Sequence, residues 1–131
     1  MAIDADAFPY PSAQFGARAA SARVWVSRDA GRVVGFLAAR VRGPAMHVEG
    51  LAVQREARRG GVGRALVRAA VDHGREAALE SIGLHVSVAN RAAIHLYESE
   101  GFAVVRPLRG FYPASAFGVS HALEMTLLLR P

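Results

Sequence analysis

The segment V-Q-R-E-A-R-R-G-G-V-G-R-A-L, from Val53 to Leu66, decides the fold of this chain. It ends a strand, turns through Gly60, Gly61 and Gly63, and then opens a helix. Glycines remove the side chains that would keep an anion from the backbone, and the first N–H groups of a helix have no partner inside it. These donors and the positive end of the helix dipole suit a phosphate group. The segment therefore predicts a phosphate-binding loop.

The amino-acid sequence of this loop excludes two familiar phosphate-binding motifs. The Walker pattern needs a lysine before Ser or Thr, and the chain contains no lysine. The dinucleotide pattern Gly-x-Gly-x-x-Gly is not matched either, because the glycines fall at 60, 61 and 63. The loop instead has the pattern Arg58-x-x-Gly61-x-Gly63, and Arg59 and Arg64 add further positive charge to it. From these residues alone, a basic turn without a ligand is an equal alternative.

The composition is typical of a single globular domain, which we assign to residues 1–131. The chain is 52% hydrophobic and 21% charged, which predicts a packed core rather than disorder. It has no cysteine, and its first arginine, Arg18, follows two aspartates, so neither a disulfide framework nor a basic signal-peptide leader is expected. No apolar run reaches the length of about 18 residues that a membrane span needs. We therefore expect a soluble, cytoplasmic protein without a membrane partner.

The positive charge of the chain attracts anions in general. The formal net charge of +5 comes from 16 arginines against 11 acidic residues. Nucleic acid, acidic proteins and phosphorylated cofactors are all candidate partners for such a chain. The arginines are scattered from Arg18 to Arg130, and only those at positions 58, 59 and 64 cluster around a specific feature. We therefore expect no nucleic-acid partner.

The hydrophobic pattern predicts strands and helices in alternation. Strands are predicted over residues 23–28, 32–41, 46–53, 84–88, 102–105 and 123–129, and helices over residues 12–20, from the glycine loop to a cap at Gly83, and over 90–100. Within residues 46–53, the period of two assigns His47, Glu49, Leu51 and Val53 to one face. This order indicates a mixed α/β sheet with a parallel strand pair around the loop, where ligands bind beyond the strand ends.

Two stretches resemble a known family. "LAVQREARRGGVGRALV" resembles the acetyl-coenzyme A loop of the GNAT superfamily of N-acetyltransferases, and "LHVSVANRAAIHLYESEGF" resembles the second half of the same site. The entry "DAFPYP", the pair Phe111-Tyr112 and the ending "HALEMTLLL" are similar to the N-terminal (Nα) acetyltransferases, of the ribosomal-protein alanine acetyltransferase type. The resemblance spans residues 6 to 129. It implies the GNAT fold, with about six strands in a mixed sheet, flanking helices and a splayed parallel pair at the cofactor site.

The resemblance also implies acetyl-CoA as the acetyl donor and no metal. The backbone of Leu51, Ala52 and Val53 would pair with the pantetheine arm. Asn90 would bond the cofactor from the start of its helix, and the role of a simple helix cap is compatible with this. The pyrophosphate would lie on Arg58, Arg59, Gly60, Gly61, Val62, Gly63 and Arg64. The five histidines of the chain have no spacing that suggests zinc.

The implied reaction is the direct attack of a primary amine on the thioester. Tyr97 stands at the position of the family's general acid, and a phenol with a pKa of about 10 is protonated at neutral pH. The base is His85 or Glu49. A neutral imidazole is the better acceptor, so we favour His85, with Glu49 as its partner or alternative. For all three residues a purely structural role is the competing interpretation.

The acceptor amine is left open by the sequence. The resemblance favours the α-amine of a protein or peptide N-terminus, and small amines such as polyamines or amino acids are the next class. A non-catalytic domain that binds acetyl-CoA is the third alternative. The loops at residues 8–12 and 109–118 are expected to select the acceptor.

The start of the chain leaves little or no room for the family's usual first strand before Phe8. We therefore expect this strand to be missing. A second subunit can cover a sheet edge exposed in this way, which keeps a homodimer open as an alternative.

Overall fold

The computed structural model describes residues 2–5, 22–58, 60–109 and 121–130, which form one sheet with two α-helices. The elements are β1 (Ala2–Ala5), β2 (Ala22–Asp29), β3 (Arg32–Arg42), β4 (Ala45–Val53), α1 (Val62–Glu76), β5 (Ser81–Ser87), α2 (Arg91–Ser99), β6 (Ala103–Leu108) and β7 (Ala122–Leu128). The strand order is β1-β2-β3-β4-β5-β7-β6. Neither helix in these ranges is long and apolar enough to cross a bilayer.

The strands β4 and β5 form the parallel pair, and they separate towards their carboxyl ends. Their pairing runs only from Ala45 opposite Ser81 to Val48 opposite Leu84, whereas β4 continues to Val53. All other neighbouring strands are antiparallel. The helix α1 connects the two parallel strands, as such a crossover requires. The predicted mixed sheet with a splayed parallel pair is confirmed.

The start of the chain contains a strand that we did not expect. The strand β1 pairs with β2 in antiparallel register, from Ala2 opposite Arg28 to Ala5 opposite Trp25. The sheet therefore has seven strands in the described residues rather than about six, and β1 covers the edge of β2 that we expected to be exposed. A second subunit therefore cannot pair with that edge of β2. The helix predicted over residues 12–20 lies outside the described residues.

A β-bulge at Glu49 interrupts the pairing of β4 with β3. Ala38 lies opposite Gly50, and the next residue of β3, Ala39, lies opposite Val48. Glu49 is therefore the extra residue on β4. Such a bulge bends its strand and increases the local twist. It lies next to the last residue of β4 that pairs with β5, and thus at the point where the two strands separate.

The bulge also inverts the alternation of side chains along β4. Met46 and Val48 belong to the main core, and beyond the bulge Leu51 and Val53 pack against the same core. The predicted common face of residues 47, 49, 51 and 53 is therefore wrong. A strict period of two assumes that no residue is inserted into the strand.

The main core lies between one face of the sheet and both helices. The helix α1 contributes a stripe at helical spacing, which consists of Val62, Leu66, Val67, Ala70 and Val71. The strand β5 contributes its alternate residues Ile82, Leu84 and Val86, and α2 contributes Tyr97. A smaller cluster of Val24, Val26 and Ala38 lies on the opposite face of β2 and β3, since these residues alternate with main-core residues along the two strands. The main core fixes both helices beside the ends of β4 and β5.

The helix α1 ends earlier than predicted. Ala78 adopts the left-handed conformation, with φ of +59°. The N–H of Leu79 donates to the carbonyl oxygen of Gly74 at 2.9 Å, and that of Ala78 donates to Arg75 at 3.1 Å, which is the Schellman pattern. Gly83 was predicted as the cap, but it lies inside β5. Alanine is a strong helix former, so nothing in the local sequence marks this end.

We expect Ala78→Gly to raise the free energy of unfolding by about 0.5–1 kcal/mol, as measured by urea denaturation. Glycine avoids the left-handed penalty of alanine, on the order of 1 kcal/mol, and this gain is partly offset by the entropy of an unfolded glycine. Ala77→Gly is the matched control. Ala77 is exposed at φ of −82°, so glycine there relieves no strain and should destabilise. Equal effects of the two variants would contradict this account.

Candidate active site

The gap between the separating ends of β4 and β5 holds a cavity of about 220 Å³. Its walls come from both strands and from α2. Five residues singled out in the sequence lie in these walls, namely Glu49, Leu51, His85, Asn90 and Tyr97. These residues come from three different elements, and the separation of the strands brings them to one place.

The open backbone edge of β4 faces this gap. In the described residues, β4 has no pairing with β5 beyond Val48. The backbone groups of residues 49–53 that point away from β3 therefore have no strand partner in the described residues, and an extended ligand can pair with such an edge as an added strand. Leu51 lines the cavity, and Ala52 and Val53 continue the edge towards the glycine loop. The carbonyl oxygen of Val53 accepts a hydrogen bond from Nε of Arg58 at 3.1 Å.

The helix α1 begins just beyond this edge, and its start has no side-chain cap. Gly61 is the N-cap residue, with φ of +84°, and no acidic residue occurs in the first turn. The carbonyl oxygen of Gly61 accepts the hydrogen bond of Ala65 at 3.0 Å, so the N–H groups before Ala65 precede the regular helical pattern. A Cβ atom at position 61 would meet no atom within 4 Å. This end of α1 is open and electropositive. Arg59 lies outside the described residues.

Two glycines allow α1 to lie close to its neighbours. A Cβ atom at Gly35 would lie 2.9 Å from Cγ1 of Val62 and 3.1 Å from the carbonyl oxygen of Ala52. A Cβ atom at Gly63 would lie 3.3 Å from Cδ2 of Leu96 on α2. Glycine at these two positions therefore sets how closely α1 approaches β3, β4 and α2. For Gly63 this is a packing role in addition to the predicted one.

The arginine predicted to contact phosphate, Arg64, forms an ion pair with Glu100 at the end of α2. Arg68, one turn further along α1, binds the same carboxylate through Nε at 2.8 Å. The side chain of Glu100 is only 9% exposed. The hydrogen bond from Arg68 is the main cause that lowers the pKa of Glu100, with Arg64 acting in the same direction and burial opposing both. This pairing fastens α1 to α2.

The sequence analysis missed Glu100. The only local signal is that Arg64 and Arg68 are four residues apart and so lie on one side of α1. That spacing does not indicate which acidic residue they contact. Glu100 lies much later in the chain, after β5 and at the end of α2.

Tyr97 and Asn90 are both fixed by α2. Tyr97 is 6% exposed, and its ring centroid lies 5.7 Å from that of Phe102. The side-chain oxygen of Asn90 accepts the hydrogen bond of the Ala93 N–H at 3.2 Å. Asn90 is therefore the N-cap of α2 and also lines the cavity. Of the two roles considered from the sequence, the helix cap is confirmed, and the cofactor contact stays a prediction.

The two candidate bases differ in their surroundings. Oε1 of Glu49 accepts a hydrogen bond from Nε of the buried Arg40 at 2.6 Å. The ring of His85 lies 4.9 Å from that of His47, measured between centroids. Burial is the main cause that lowers the pKa of His47, and the charge of His85 adds to it. The sequence analysis assigned no function to His47.

The remaining described histidines do not build a metal centre. Within the described ranges, no three His, Cys, Asp or Glu side chains are grouped so that they could hold a metal ion. His73 packs its ring edge-on against Trp25, with the centroids 5.6 Å apart. His95 is exposed on α2.

The family model described as "Acetyltransferase (GNAT) family" matches residues 3–102 of the chain. This chain belongs to the GNAT acetyltransferase family. The match includes β4, the glycine loop, α1, β5 and α2, which are the elements that surround the cavity. The family resemblance of the two sequence stretches is thereby confirmed.

Two curated relatives of this GNAT chain carry different names. A mycothiol acetyltransferase of Propionibacterium freudenreichii subsp. shermanii is 42% identical over 94 residues, which are 68% of this chain and 30% of that protein. The ribosomal protein bS18-alanine N-acetyltransferase of Escherichia coli K12 is 36% identical over 77 residues, which are 59% of this chain and 51% of that protein. The chain thus spans about half the length of these relatives, or less.

The crystal structure of the ribosomal-protein-S18-alanine N-acetyltransferase from Escherichia coli has the same fold. It matches with a TM-score of 0.82 at 29% sequence identity, over 97% of this chain and 82% of the other. The GNAT fold predicted from the sequence is therefore confirmed.

We expect Glu100→Gln to lower the free energy of unfolding by about 1–2 kcal/mol at neutral pH. Because the pKa of Glu100 is lowered in the folded state, its contribution is present above the ordinary glutamate pKa. It is lost as the pH falls through the lowered value. Urea unfolding of both proteins between about pH 7 and pH 3 should show the difference shrinking in acid.

Glu98→Gln is the matched control for this prediction, because Glu98 is exposed on the same helix. It should change the free energy of unfolding by less than about 0.5 kcal/mol. A Glu100→Gln effect that stays constant over the whole pH range would show that the carboxylate charge is not its cause.

Proposed function

We propose that this GNAT domain is an N-acetyltransferase that moves the acetyl group of acetyl-CoA to a primary amine, with the α-amine of a peptide or protein N-terminus as the acceptor. The observation that carries the proposal is one cavity in which His85 and Tyr97 lie beside the open edge of β4 and near the uncapped start of α1. A proton acceptor, a proton donor, a strand edge and an anion site are the four elements that the reaction needs. Membership of the GNAT family supports the same reaction.

The cofactor would bind along β4 and at the start of α1. The pantetheine arm carries amides, which can pair with the backbone of Leu51, Ala52 and Val53. The pyrophosphate would lie on the backbone N–H groups around Gly61, Val62 and Gly63. Since Arg64 is held by Glu100, we assign the direct phosphate contacts to the backbone, and to Arg64 only a contribution from its charge. Asn90 closes the site from the start of α2.

The reaction would proceed without a covalent enzyme intermediate. The neutral amine nitrogen attacks the thioester carbon, and the carbon–sulfur bond of the tetrahedral intermediate then breaks to leave an amide and a thiolate. Tyr97 gives its proton to the thiolate sulfur, and His85 takes the proton that the amine loses. The core face of β5 contains Leu84 and Val86, so His85 points to the opposite side of the sheet from α2 and Tyr97. Acid and base therefore approach the thioester from different sides.

The assignment of His85 rather than Glu49 as the base rests on their contacts. One carboxylate oxygen of Glu49 is held by Arg40 at 2.6 Å, which suits a residue that orients its neighbours. A neutral imidazole accepts a proton readily near pH 7. We therefore assign proton transfer to His85 and a supporting role to Glu49.

A small-molecule amine is the second candidate acceptor. It is favoured by the 42% identity to a protein named mycothiol acetyltransferase, whereas the peptide acceptor is favoured by the likeness to a protein named for alanine of ribosomal protein bS18. The loop at residues 8–12 lies outside the described residues, as does the loop at 109–118 except for Arg109. A non-catalytic acetyl-CoA-binding domain is disfavoured by the presence of His85 and Tyr97 in the cavity.

The proposal predicts that the chain releases thiol from acetyl-CoA when a peptide with a free N-terminal amine is supplied. The same peptides with a blocked N-terminus should give no release above background. Transfer to polyamines or amino acids alone would move the acceptor to the small-molecule class. Binding of acetyl-CoA without transfer to any amine would contradict the catalytic proposal.

Tyr97→Phe should lower kcat about 10²-fold with an unchanged Kd for acetyl-CoA, and an unchanged kcat would remove Tyr97 as the acid.

The proposal also predicts that a negative charge at position 61 prevents cofactor binding. Gly61→Asp should weaken acetyl-CoA binding at least about tenfold, because its carboxylate would lie at the helix start that the pyrophosphate needs. Gly61→Asn is the matched control, since both side chains have the same shape and both residues tolerate the left-handed conformation. Calorimetry at low salt measures both affinities. Equal Kd values for the two variants would show that no anion binds there.

A further inference from the structure

We propose that His47 is a positioning residue in the proton path, which acts through His85 by receiving the proton that His85 takes from the acceptor amine. This inference rests on the proposed acetyltransferase function. The two histidines come from neighbouring parallel strands, and only His85 lines the cavity.

The sheet brings the two rings together on one face. His47 lies opposite Gly83 in the register of β4 and β5, so His85 is two positions further along the neighbouring strand. The neighbours of His47, Met46 and Val48, belong to the main core. His47 and His85 therefore both point to the face opposite the helices, where their ring centroids are 4.9 Å apart. This separation places the two rings side by side, and in the proposal the proton crosses between them.

The charged groups around the pair are themselves paired. Glu49 accepts a hydrogen bond from Arg40, which is the register neighbour of His47 on β3. Glu124, the register neighbour of His85 on β7, accepts one from Arg106 at 2.8 Å. Arg42, on β3, also acts on His47 electrostatically. Both carboxylates are thus held in ion pairs, and both still act on His47 by raising its pKa.

The contact between the rings favours the release of the proton. Two imidazolium ions this close repel each other, so the pair holds one proton far more readily than two. Burial and the charge of His85 lower the pKa of His47, while the charges of Glu49 and Glu124 raise it. With its pKa lowered overall, His47 is neutral when His85 takes up the proton, and it gives the proton up readily once it has received it. Because His47 is only half-buried and lies outside the cavity, it can pass that proton to solvent while the cavity is occupied by substrates.

The test is His47→Ala, assayed with acetyl-CoA and a free-amine peptide in dilute buffer. We expect kcat to fall about tenfold while the Kd for acetyl-CoA stays unchanged, and added imidazole to restore kcat to within about twofold of the original chain. A lost packing contact would not respond to imidazole in this way. His95→Ala is the matched control, because His95 is exposed on α2; it should keep the original kcat and show no response to imidazole. A kcat for His47→Ala equal to that of the original chain, or one that imidazole does not raise, would overturn the proposal.

A second measurement tests the pair without relying on activity. NMR titration of the original chain should show that the protonation of His47 and of His85 depend on each other, and His47→Gln should leave His85 with a single-step titration curve. An unchanged curve for His85 would overturn the proposal even if the chain acetylates no amine tested. Absence of transfer by the original chain would instead count against the acetyltransferase function.

Discussion

The separation of β4 from β5 beyond Val48 is the constraint on which the site depends. A bulge at Glu49 bends β4 immediately after its last residue paired with β5. Without this separation, the two strands would continue their hydrogen-bond ladder and leave no space between them. With it, the chain gains a cavity, an unpaired strand edge and a route between the two faces of the sheet. An open strand edge presents unpaired N–H and C=O groups, and an amide-bearing cofactor arm can pair with them.

The two faces of the sheet contribute different chemistry at this opening. On one face, α1 and α2 pack on the main core and provide the uncapped helix start and Tyr97. On the other face, His47 and His85 lie beside each other, and Glu49 and Glu124 near them are held in ion pairs. A reaction that joins two substrates benefits from this arrangement, since a donor on one side and an acceptor on the other need not compete for space. The Glu100 ion pairs keep α1 and α2 in one relative position.

Local signals were enough to predict much of the fold and part of the site. Glycines at 60, 61 and 63 mark a strand-to-helix turn, Asn90 marks a helix start, and the apolar period marks both helices, because each of these depends on neighbours within about one helical turn. The early end of α1 was missed because Ala78 adopts a conformation that alanine rarely takes. The strand β1 was missed because four residues carry too little pattern to be recognised, and only the edge of β2 gives them a partner.

The sequence by itself determined the order of the elements from β2 to β7, the strand-to-helix turn at the glycines, the family and the residue types available for acid and base chemistry. Only the tertiary structure decided that Glu49 is a bulge residue held by Arg40, that Arg64 binds Glu100, and that His47 lies beside His85. The physical reason is the distance along the chain between the residues that interact. Turns and helix starts follow from bonds between residues close in sequence, whereas register, bulges and side-chain pairs follow from which strand lies next to which.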